Sequence, residues 1–536
     1  MFSDKANINI LTAVLHGYGV TTAVVCPGAR NAPIVQNLHE AGFKCHAVTD
    51  ERSAGFYALG MALVTGTPVV VCVTSGTALL NLAPAVAEAW HRHCPLVVIS
   101  ADRPAERIGQ LDAQTMPQQG ALSHFVAISV SLPEAIDKVS RIHCNRIVNE
   151  ALIAATSRPN RPVHINVPVA EPLFNFTTAH LPAERIISRM NMDRCVNTHA
   201  CQAVVERLQV AKRPMIVVGQ LPQSKVVDDF IDKAKSLVTT LYEPLSCSHG
   251  GVLFDEALAM GALNNDYAPD FVLYIGGIIV SKRLKIFLQN APGAETWLLS
   301  RDGEVHDTFM NLTTVIDAPI EPTLAEIALH IHPNSESMHY KLLWDKLLEQ
   351  TLQRIYNQPI EYNEEGVVRL FEQMLDEAGI DCTVHYANST AVRLGCRYAK
   401  HYIEVNRGVN GIEGSLSTAA GFSLCNDKPT FCVIGDLSFF YDINALWNNE
   451  IDGRLRILLL NNGGGAIFGT LPGLETSDAT RRFVVGEHNA TANGLCTVHN
   501  VDCARVEHER YLKEMLDAFI NASPSATTVL EIPLNN

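Results

Sequence analysis

The sequence predicts an α/β protein built from three doubly wound parallel-sheet domains. Three observations predict it. At 536 residues the chain is too long for one core, and ordinary domain sizes give about three units. Short β-branched runs alternate with helical periodicity from end to end, the pattern of parallel α/β layers. Runs such as Val69-Val70-Val71-Cys72-Val73 lack the polar alternation of a half-exposed strand, as expected where both sheet faces are covered.

Composition narrows the function classes. Hydrophobic residues make up 47% and charged residues 18%, which describes a packed globular chain and excludes a disordered one. The net charge of −15 argues against general nucleic-acid binding, though a local arginine cluster can still oppose the global sign. Fourteen scattered cysteines form no metal or disulfide framework and are expected as reduced, buried thiols. Met1–Lys5 lacks a cationic region leading into an apolar core, and no apolar run reaches about 18 residues. A cytoplasmic protein with no membrane span is the expectation.

The first unit, residues 1–180, reads as strands Thr22–Cys26, Lys44–Val48, Pro68–Val73, Pro95–Ser100 and Pro162–Val167, with helices Arg52–Val64 and Gly76–Trp90. The rhythm stops over Ala170–Arg194, where Pro172 and Pro182 indicate a linker. A second unit, 195–335, carries strands near Pro214–Val218, Phe271–Ile275 and Glu295–Leu299. His332–Asn363, rich in His and Glu, reads as a connection. The third unit, 355–536, has strands near Thr383–Tyr386, Thr430–Ile434 and Arg456–Leu460. First and third units share a layout: an amphipathic helix, a Gly-hydrophobic step (Gly19-Val20; Gly379-Ile380), a strand, and a small-residue turn where such sheets bind ligands.

The chemistry concentrates at two places. Gly435-Asp436 follows one strand, and Asn461-Asn462-Gly463-Gly464-Gly465 follows the next, with a helix over Asp442–Glu450 between them. Adjacent parallel strands bring the two turns together. Asp436, the Asn462 side-chain oxygen and the Gly464 carbonyl then form an oxygen set suited to magnesium, with manganese as an alternative, and leave positions for two phosphates and a water. The competing reading is a glycine-rich turn with an aspartate cap; the combined spacing favours a metal-bound diphosphate. The second place is Val48-Thr49-Asp50-Glu51-Arg52, which sets Glu51 at a helix start among apolar neighbours. Alone it reads as favourable charge–dipole placement. Beside a thiamine diphosphate site it reads as the carboxylate that hydrogen-bonds the aminopyrimidine and promotes loss of the thiazolium proton.

The Asp436–Asn462 segment resembles the diphosphate fingerprint of thiamine-diphosphate enzymes. A wider set resembles the branch of that superfamily in menaquinone biosynthesis: Cys26–Pro33, Thr49–Arg52, Thr74–Thr77, Ser100–Pro104, Asn388-Ser389 with Arg393, Asn406–Gly408, Gly411-Ile412, Ser417–Gly421 and Gly435–Ser438. The resemblance spans nearly the whole chain. Ala29 departs from it, standing where that branch usually has Ser. It implies pyrimidine-binding, central and diphosphate-binding domains. It also implies a homodimer or homotetramer with active sites at the subunit interface, so that Glu51 meets Asp436 of another copy. The implied reaction is decarboxylation of 2-oxoglutarate and conjugate addition of the succinyl carbanion equivalent to isochorismate, with Glu51 catalytic. Thr74, Ser389, Ile412, Asp436, Leu437, Ser438, Asn462, Gly464, Ile467 and Phe468 would bind the cofactor. Arg393 and Arg407 with Ser389 would hold 2-oxoglutarate; Arg30, Arg103, Gln114, Lys282 and Arg283 would hold isochorismate. Arg suits both because its fork binds carboxylates bidentately.

Two alternatives stay open: another thiamine-diphosphate 2-oxoacid lyase or carboligase of the acetolactate-synthase kind, and a non-catalytic member of the fold. His91-Arg92-His93-Cys94 is expected to cap or lie at the surface. Gly276-Gly277 lacks the Gly-x-Gly-x-x-Gly spacing, so no flavin or nicotinamide is expected.

Overall fold

The computed structural model describes residues 1–189, 197–260, 265–470 and 477–534. Three parallel sheets organise the chain. The first comprises β1 (Thr22–Val25), β2 (Lys44–Ala47), β3 (Val69–Val73), β4 (Leu96–Asp102), β5 (Ser129–Ser131) and β6 (Val163–Pro168), in the order β2-β1-β3-β4-β6-β5. The second comprises β7 (Pro214–Val218), β8 (Thr239–Tyr242), β9 (Phe271–Ile275), β10 (Glu295–Ser300) and β11 (Leu312–Asp317), in the order β11-β10-β9-β7-β8. The third comprises β12 (Thr383–Tyr386), β13 (Ile403–Glu404), β14 (Thr430–Gly435), β15 (Leu455–Asn461), β16 (Asp502–Arg505) and β17 (Thr528–Pro533), in the order β13-β12-β14-β15-β17-β16. Every residue of β3, β4, β7, β9 and β15 is buried, as the unbroken apolar runs require.

Two helices bind the first sheet to the third. Glu51–Thr65 is buried from Ser53 to Ala62, and Ser415–Cys425 from Ser415 to Leu424. Their backbones meet at glycines. A Cβ on Gly60 would lie 2.1 Å from the Thr418 carbonyl oxygen, and one on Gly421 would lie 2.2 Å from that of Tyr57. Only hydrogen side chains permit this approach. Tyr57 adds a hydroxyl bond to the Ala445 carbonyl at 2.5 Å.

Three expectations need correction. His332–Asn363 is mostly helix, Ser335–Tyr356, started by a reciprocal cap between Asn334 and Ser337. Tyr340, Trp344, Leu347, Thr351 and Ile355 recur at helical spacing and are buried, and Tyr340 and Trp344 both bond the Tyr267 carbonyl. The charge-rich composition had hidden that period. The expected helix Asp442–Glu450 starts earlier, as Asp436–Tyr441 with a 3₁₀ turn Ile443–Leu446, because Asp442 turns inward to accept the Ser417 amide and hydroxyl, both at 2.7 Å. The helix expected over Gly76–Trp90 is two, Thr77–Asn81 and Ala83–His91, the second opened by Pro84, which lacks an amide proton to continue the first. The expected linker Ala170–Arg194 carries no helix or named strand over its described residues; Met190–Arg194 lie outside them.

Among the described residues all cysteines are free, and no helix is long and apolar enough to cross a membrane. His93 faces Asp302 at 3.4 Å, and Arg92 reaches Glu404 and the Val405 carbonyl, so the His91–Cys94 turn joins units.

Candidate functional site

The carboxyl ends of four adjacent strands carry candidate residues in sheet order. Arg407 follows β13, Ser389 follows β12, Asp436 follows β14 and Asn462 follows β15. Side-by-side pairing thus assembles in space a set separated by up to 73 positions in sequence (462 − 389).

At one end is an oxygen cradle. Asp436 is 2% exposed. Its Oδ2 accepts the amides of Gly463 (2.7 Å) and Gly464 (3.0 Å), and its Oδ1 accepts that of Leu437 (2.6 Å). Burial raises its pKa, and these amides work against the rise. Gly463 has φ +82°, a conformation open chiefly to glycine, and this lets the turn fold back on Asp436. The Asn462 Oδ1 accepts the Gly464 amide at 3.1 Å, while its Nδ2 donates to Glu364 Oε1 at 3.1 Å. Ser438 Oγ donates to the Ile412 carbonyl at 2.7 Å and ties that loop to the cradle. Ile412 and Phe468, each 39% exposed, are apolar groups left open beside it; Ile467 precedes Phe468 in the 3₁₀ turn Ala466–Thr470. Carboxylate, amide oxygen and backbone carbonyl together suit a hard divalent cation, and the glycines leave room for phosphate oxygens.

At the other end is a concentration of positive charge. Arg407 donates to Asn388 Oδ1 at 3.1 Å, yet its Nε is buried with no partner. Burial lowers its pKa and the like charge of nearby Arg393 lowers it further, with Glu243 opposing. Glu243 itself is pushed up to about 7 by burial, although its carboxylate accepts the amides of Val280 (2.7 Å) and Ser281 (2.9 Å). Lys285 is half-buried beside Arg407. A buried N–H without an acceptor costs about 1–3 kcal/mol unless a ligand atom completes it. Ser389 has φ +76° and ψ −128°, a strained conformation for a side chain with a Cβ, of the kind found at ligand clamps.

The Arg407 loop is held from three sides. Asn388 Nδ2 donates to the carbonyls of Asn406 and Gly411, both at 2.8 Å. Glu88 from the first unit, 2% exposed, accepts the amides of Gly408 (2.7 Å) and Val409 (2.6 Å). Gln220 from the second unit donates to the Val405 carbonyl at 3.0 Å.

In the first unit, Asp50 caps the helix Glu51–Thr65 by accepting the amides of Arg52 (2.9 Å) and Ser53 (3.2 Å), a bond type that contributes about 1 kcal/mol. Asp50 also accepts Asn444 Nδ2 at 2.7 Å, and Arg52 donates to the Tyr441 carbonyl at 2.9 Å, so both flanking residues face the third unit of the same chain. Glu51 turns elsewhere: it accepts Asn81 Nδ2 at 3.2 Å, stays partly exposed, and its charge helps raise the Cys26 thiol, which burial raises first. Thr74 packs on Gly28, where a Cβ would lie 2.5 Å from the Thr74 Cβ. A cavity of about 670 Å³ opens nearby, lined by Cys26, Gly28, Ala32, Thr49, Phe174 and others.

The remaining predicted residues sit apart. Arg30 is 8% exposed and donates to the Val169 carbonyl (3.0 Å) and Glu171 (3.1 Å). Arg103 donates to the Ala113 carbonyl at 2.9 Å and faces Asp112 at 3.8 Å. Gln114 is exposed, with φ +53°. Lys282 opens the helix Lys282–Gln289 and is exposed, and Arg283 pairs with Asp255. Among the described residues no hydrogen bond or ion pair joins Glu51, Arg30, Arg103 or Gln114 to the Asp436 cradle within one chain. Sequence reasoning assigned no site role to Glu364, Glu88, Asn388, Glu243 or Lys285. A lone Glu in the alanine-rich helix Ala83–His91, or at the start of another, carries no local signal separating it from a surface charge or a cap. Asn388 alone was legible, through its place in the Asn388-Ser389 turn.

Comparison with known proteins agrees with this layout. Residues 8–123 match the family model of the thiamine pyrophosphate enzyme N-terminal TPP binding domain, and 385–532 that of the C-terminal TPP binding domain. The chain is 43% identical to a 2-succinyl-5-enolpyruvyl-6-hydroxy-3-cyclohexene-1-carboxylate synthase of Bacteroides thetaiotaomicron, covering 99% of this chain and 96% of that protein. A protein of the same name from Flavobacterium psychrophilum is 32% identical over 96% of this chain and 93% of its own length. Among solved structures, one described as a candidate thiamin diphosphate-dependent enzyme from Mycobacterium smegmatis superposes with a TM-score of 0.72 at 17% identity, covering 99% of both chains, which shows a shared fold.

Proposed function

The chain belongs to the 2-succinyl-5-enolpyruvyl-6-hydroxy-3-cyclohexene-1-carboxylate synthase family of thiamine pyrophosphate enzymes, and from that premise we propose that it decarboxylates 2-oxoglutarate and joins the remaining four-carbon unit to isochorismate, a carboligation in menaquinone biosynthesis. One observation carries the reading beyond the family: an oxygen cradle and an incompletely satisfied arginine lie along the same strand ends, in the order Arg407, Ser389, Asp436, Asn462. A metal-bound diphosphate and a small dicarboxylate fit side by side there.

Thiamine diphosphate, bound with magnesium or manganese, supplies a carbon nucleophile and an electron sink for decarboxylation. Asp436, Asn462 and the Gly464 carbonyl would hold the cation, with Leu437, Ser438, Ile467 and Thr74 around the cofactor and Ile412 and Phe468 against its apolar surface. Arg393 and Arg407 with Ser389 bind the 2-oxoglutarate carboxylates, so the buried Arg407 Nε gains the partner it lacks. Arg30, Arg103, Gln114, Lys282 and Arg283 orient isochorismate; Arg30 and Arg283 share their charge with Glu171 and Asp255 while doing so. Glu51 would hydrogen-bond the aminopyrimidine ring of the cofactor and promote loss of the thiazolium proton. We place Glu51 across a homodimer interface, also compatible with a homotetramer. The support is local: Asp50 and Arg52 are pinned to their own third unit while Glu51 between them points away and stays open. The enzyme works in the cytoplasm on small molecules, with no nucleic-acid partner and no membrane span.

The test is to incubate the protein with thiamine diphosphate, Mg²⁺, 2-oxoglutarate and isochorismate and weigh the product. The adduct minus carbon dioxide is expected. Turnover of pyruvate in preference to 2-oxoglutarate would assign the chain to a different carboligase.

A further inference from the structure

We propose that Glu364 is a positioning residue that decides which end of the Asn462 side chain faces the divalent cation. This rests on the reading of Asp436, Asn462 and Gly464 as cation ligands. An amide side chain has ends of opposite polarity, and only its oxygen can ligate a metal. Two contacts determine the orientation of Asn462. Its Nδ2 donates to Glu364 Oε1 at 3.1 Å, and its Oδ1 accepts the Gly464 amide at 3.1 Å. Turning the amide over would set Oδ1 against a carboxylate and Nδ2 against an N–H, so both contacts would become repulsive. Glu364 therefore selects the oxygen-forward state before any cation arrives, as the hydrogen-bond partners behind metal ligands do elsewhere.

The element that presents Glu364 is built to hold it still. It opens the helix Glu364–Ala378, capped by Asn363, whose side chain accepts the Gly366 amide at 2.9 Å. Gly366 lies so close to the preceding turn that a Cβ there would sit 1.8 Å from the Glu361 carbonyl oxygen. One turn further, Val367, Val368 and Phe371 are fully buried in the core of the third unit. Glu365, beside it, faces away, accepting the Tyr398 hydroxyl at 2.6 Å and pairing with Arg397 at 2.7 Å. Capping alone would be served by either glutamate; the contact to Asn462 belongs to Glu364.

The test measures cation binding instead of turnover. Full-length protein is titrated with Mn²⁺ in the presence of thiamine diphosphate, and free Mn²⁺ is read by electron paramagnetic resonance. Glu364→Ala should weaken Mn²⁺ binding about 10- to 100-fold. Glu364→Gln keeps a carbonyl acceptor for Nδ2 and should stay within about threefold of the parent protein. Asn462→Asp has oxygen at both ends, so adding Glu364→Ala to it should change affinity by less than about threefold. Parent-like binding by Glu364→Ala overturns the proposal. So does equal weakening by Glu364→Gln, which would make charge the cause, or an undiminished loss in the Asn462→Asp background. Should the alanine variant fail to fold, Glu364→Met, of similar length and without an acceptor, is read in its place. If the parent protein itself binds no Mn²⁺ with thiamine diphosphate, the cradle reading fails first and the role of Glu364 falls with it, an outcome distinct from parent-like binding by Glu364→Ala.

Discussion

Read from edge to edge, the first sheet (β2-β1-β3-β4-β6-β5) and the third (β13-β12-β14-β15-β17-β16) pass through the same sequence of crossings. Their matching strand ends carry different chemistry. Beyond β14, the buried Asp436 carboxylate accepts the amides of Gly463 and Gly464, at the proposed cation site. Beyond its counterpart β3, the Gly76 amide donates instead to Gln118 Oε1 at 2.6 Å. Gln118, 1% exposed, passes its own donors to the Ala101 carbonyl (3.0 Å) and Asn166 (2.8 Å). That turn is closed by neutral amides. The first unit's partly exposed acid is Glu51, which follows β2, two strands away at the sheet edge. One topology thus fixes where a ligand can lie, at the carboxyl edge, while the turn residues decide which part of a ligand each sheet can take. The second sheet, with five strands, shows neither device; it contributes Glu243 and Lys285 beside Arg407.

The sharpest way to break this division of labour is Glu51→Gln. Turnover should fall at least about 100-fold, and exchange of the cofactor's C2 proton, followed by NMR, should slow in parallel, while cofactor affinity stays near that of the parent protein. An unchanged exchange rate removes the first unit from the chemistry. Next comes Asp436→Ala. Affinities for thiamine diphosphate and Mn²⁺ should fall together by more than about tenfold in calorimetry, because one carboxylate orders both ligand and turn. Loss of one without the other would separate the cradle from the diphosphate. A smaller effect is expected within the substrate pockets. Arg407→Ala should raise the KM for 2-oxoglutarate about 10- to 100-fold, and Arg30→Ala should raise chiefly that for isochorismate. The reverse dependence would exchange the two pockets.

The smallest effect concerns the joint between the sheets. Burial pushes Asp442 up to about 7 from its ordinary 3.8. The folded state then binds this proton more tightly than the unfolded chain does, so its contribution to stability declines as pH rises from about 4 to about 7 and is level above. Asp442→Asn should flatten that decline in thermal midpoint. Some slope should remain, because Glu243 is raised in the same sense. An unaltered slope would show that Asp442 is ionised throughout.

Much of this was legible along the chain. Val69–Val73 announced a covered strand because a strand buried on both faces has no reason to alternate. Gly435-Asp436 and Asn461–Gly465 announced a cradle because glycine spacing is a backbone requirement written directly as residue type. The helix Ser335–Tyr356 was obscured because composition masked its period, although the spacing of Tyr340, Trp344 and Thr351 was present. Glu364 and Glu88 could not be read, since their meaning lies in partners 98 (462 − 364) and 320 (408 − 88) positions away.

By itself the sequence determined the three-sheet class and supplied the candidate cradle turns and arginines, because hydrophobic period, glycine placement and residue type are local properties. Tertiary structure alone decided the strand order that aligns Arg407, Ser389, Asp436 and Asn462 along one edge. It also decided which carboxylates face a partner and which stay open. Both depend on contacts between distant segments, whose energies no single stretch of sequence records.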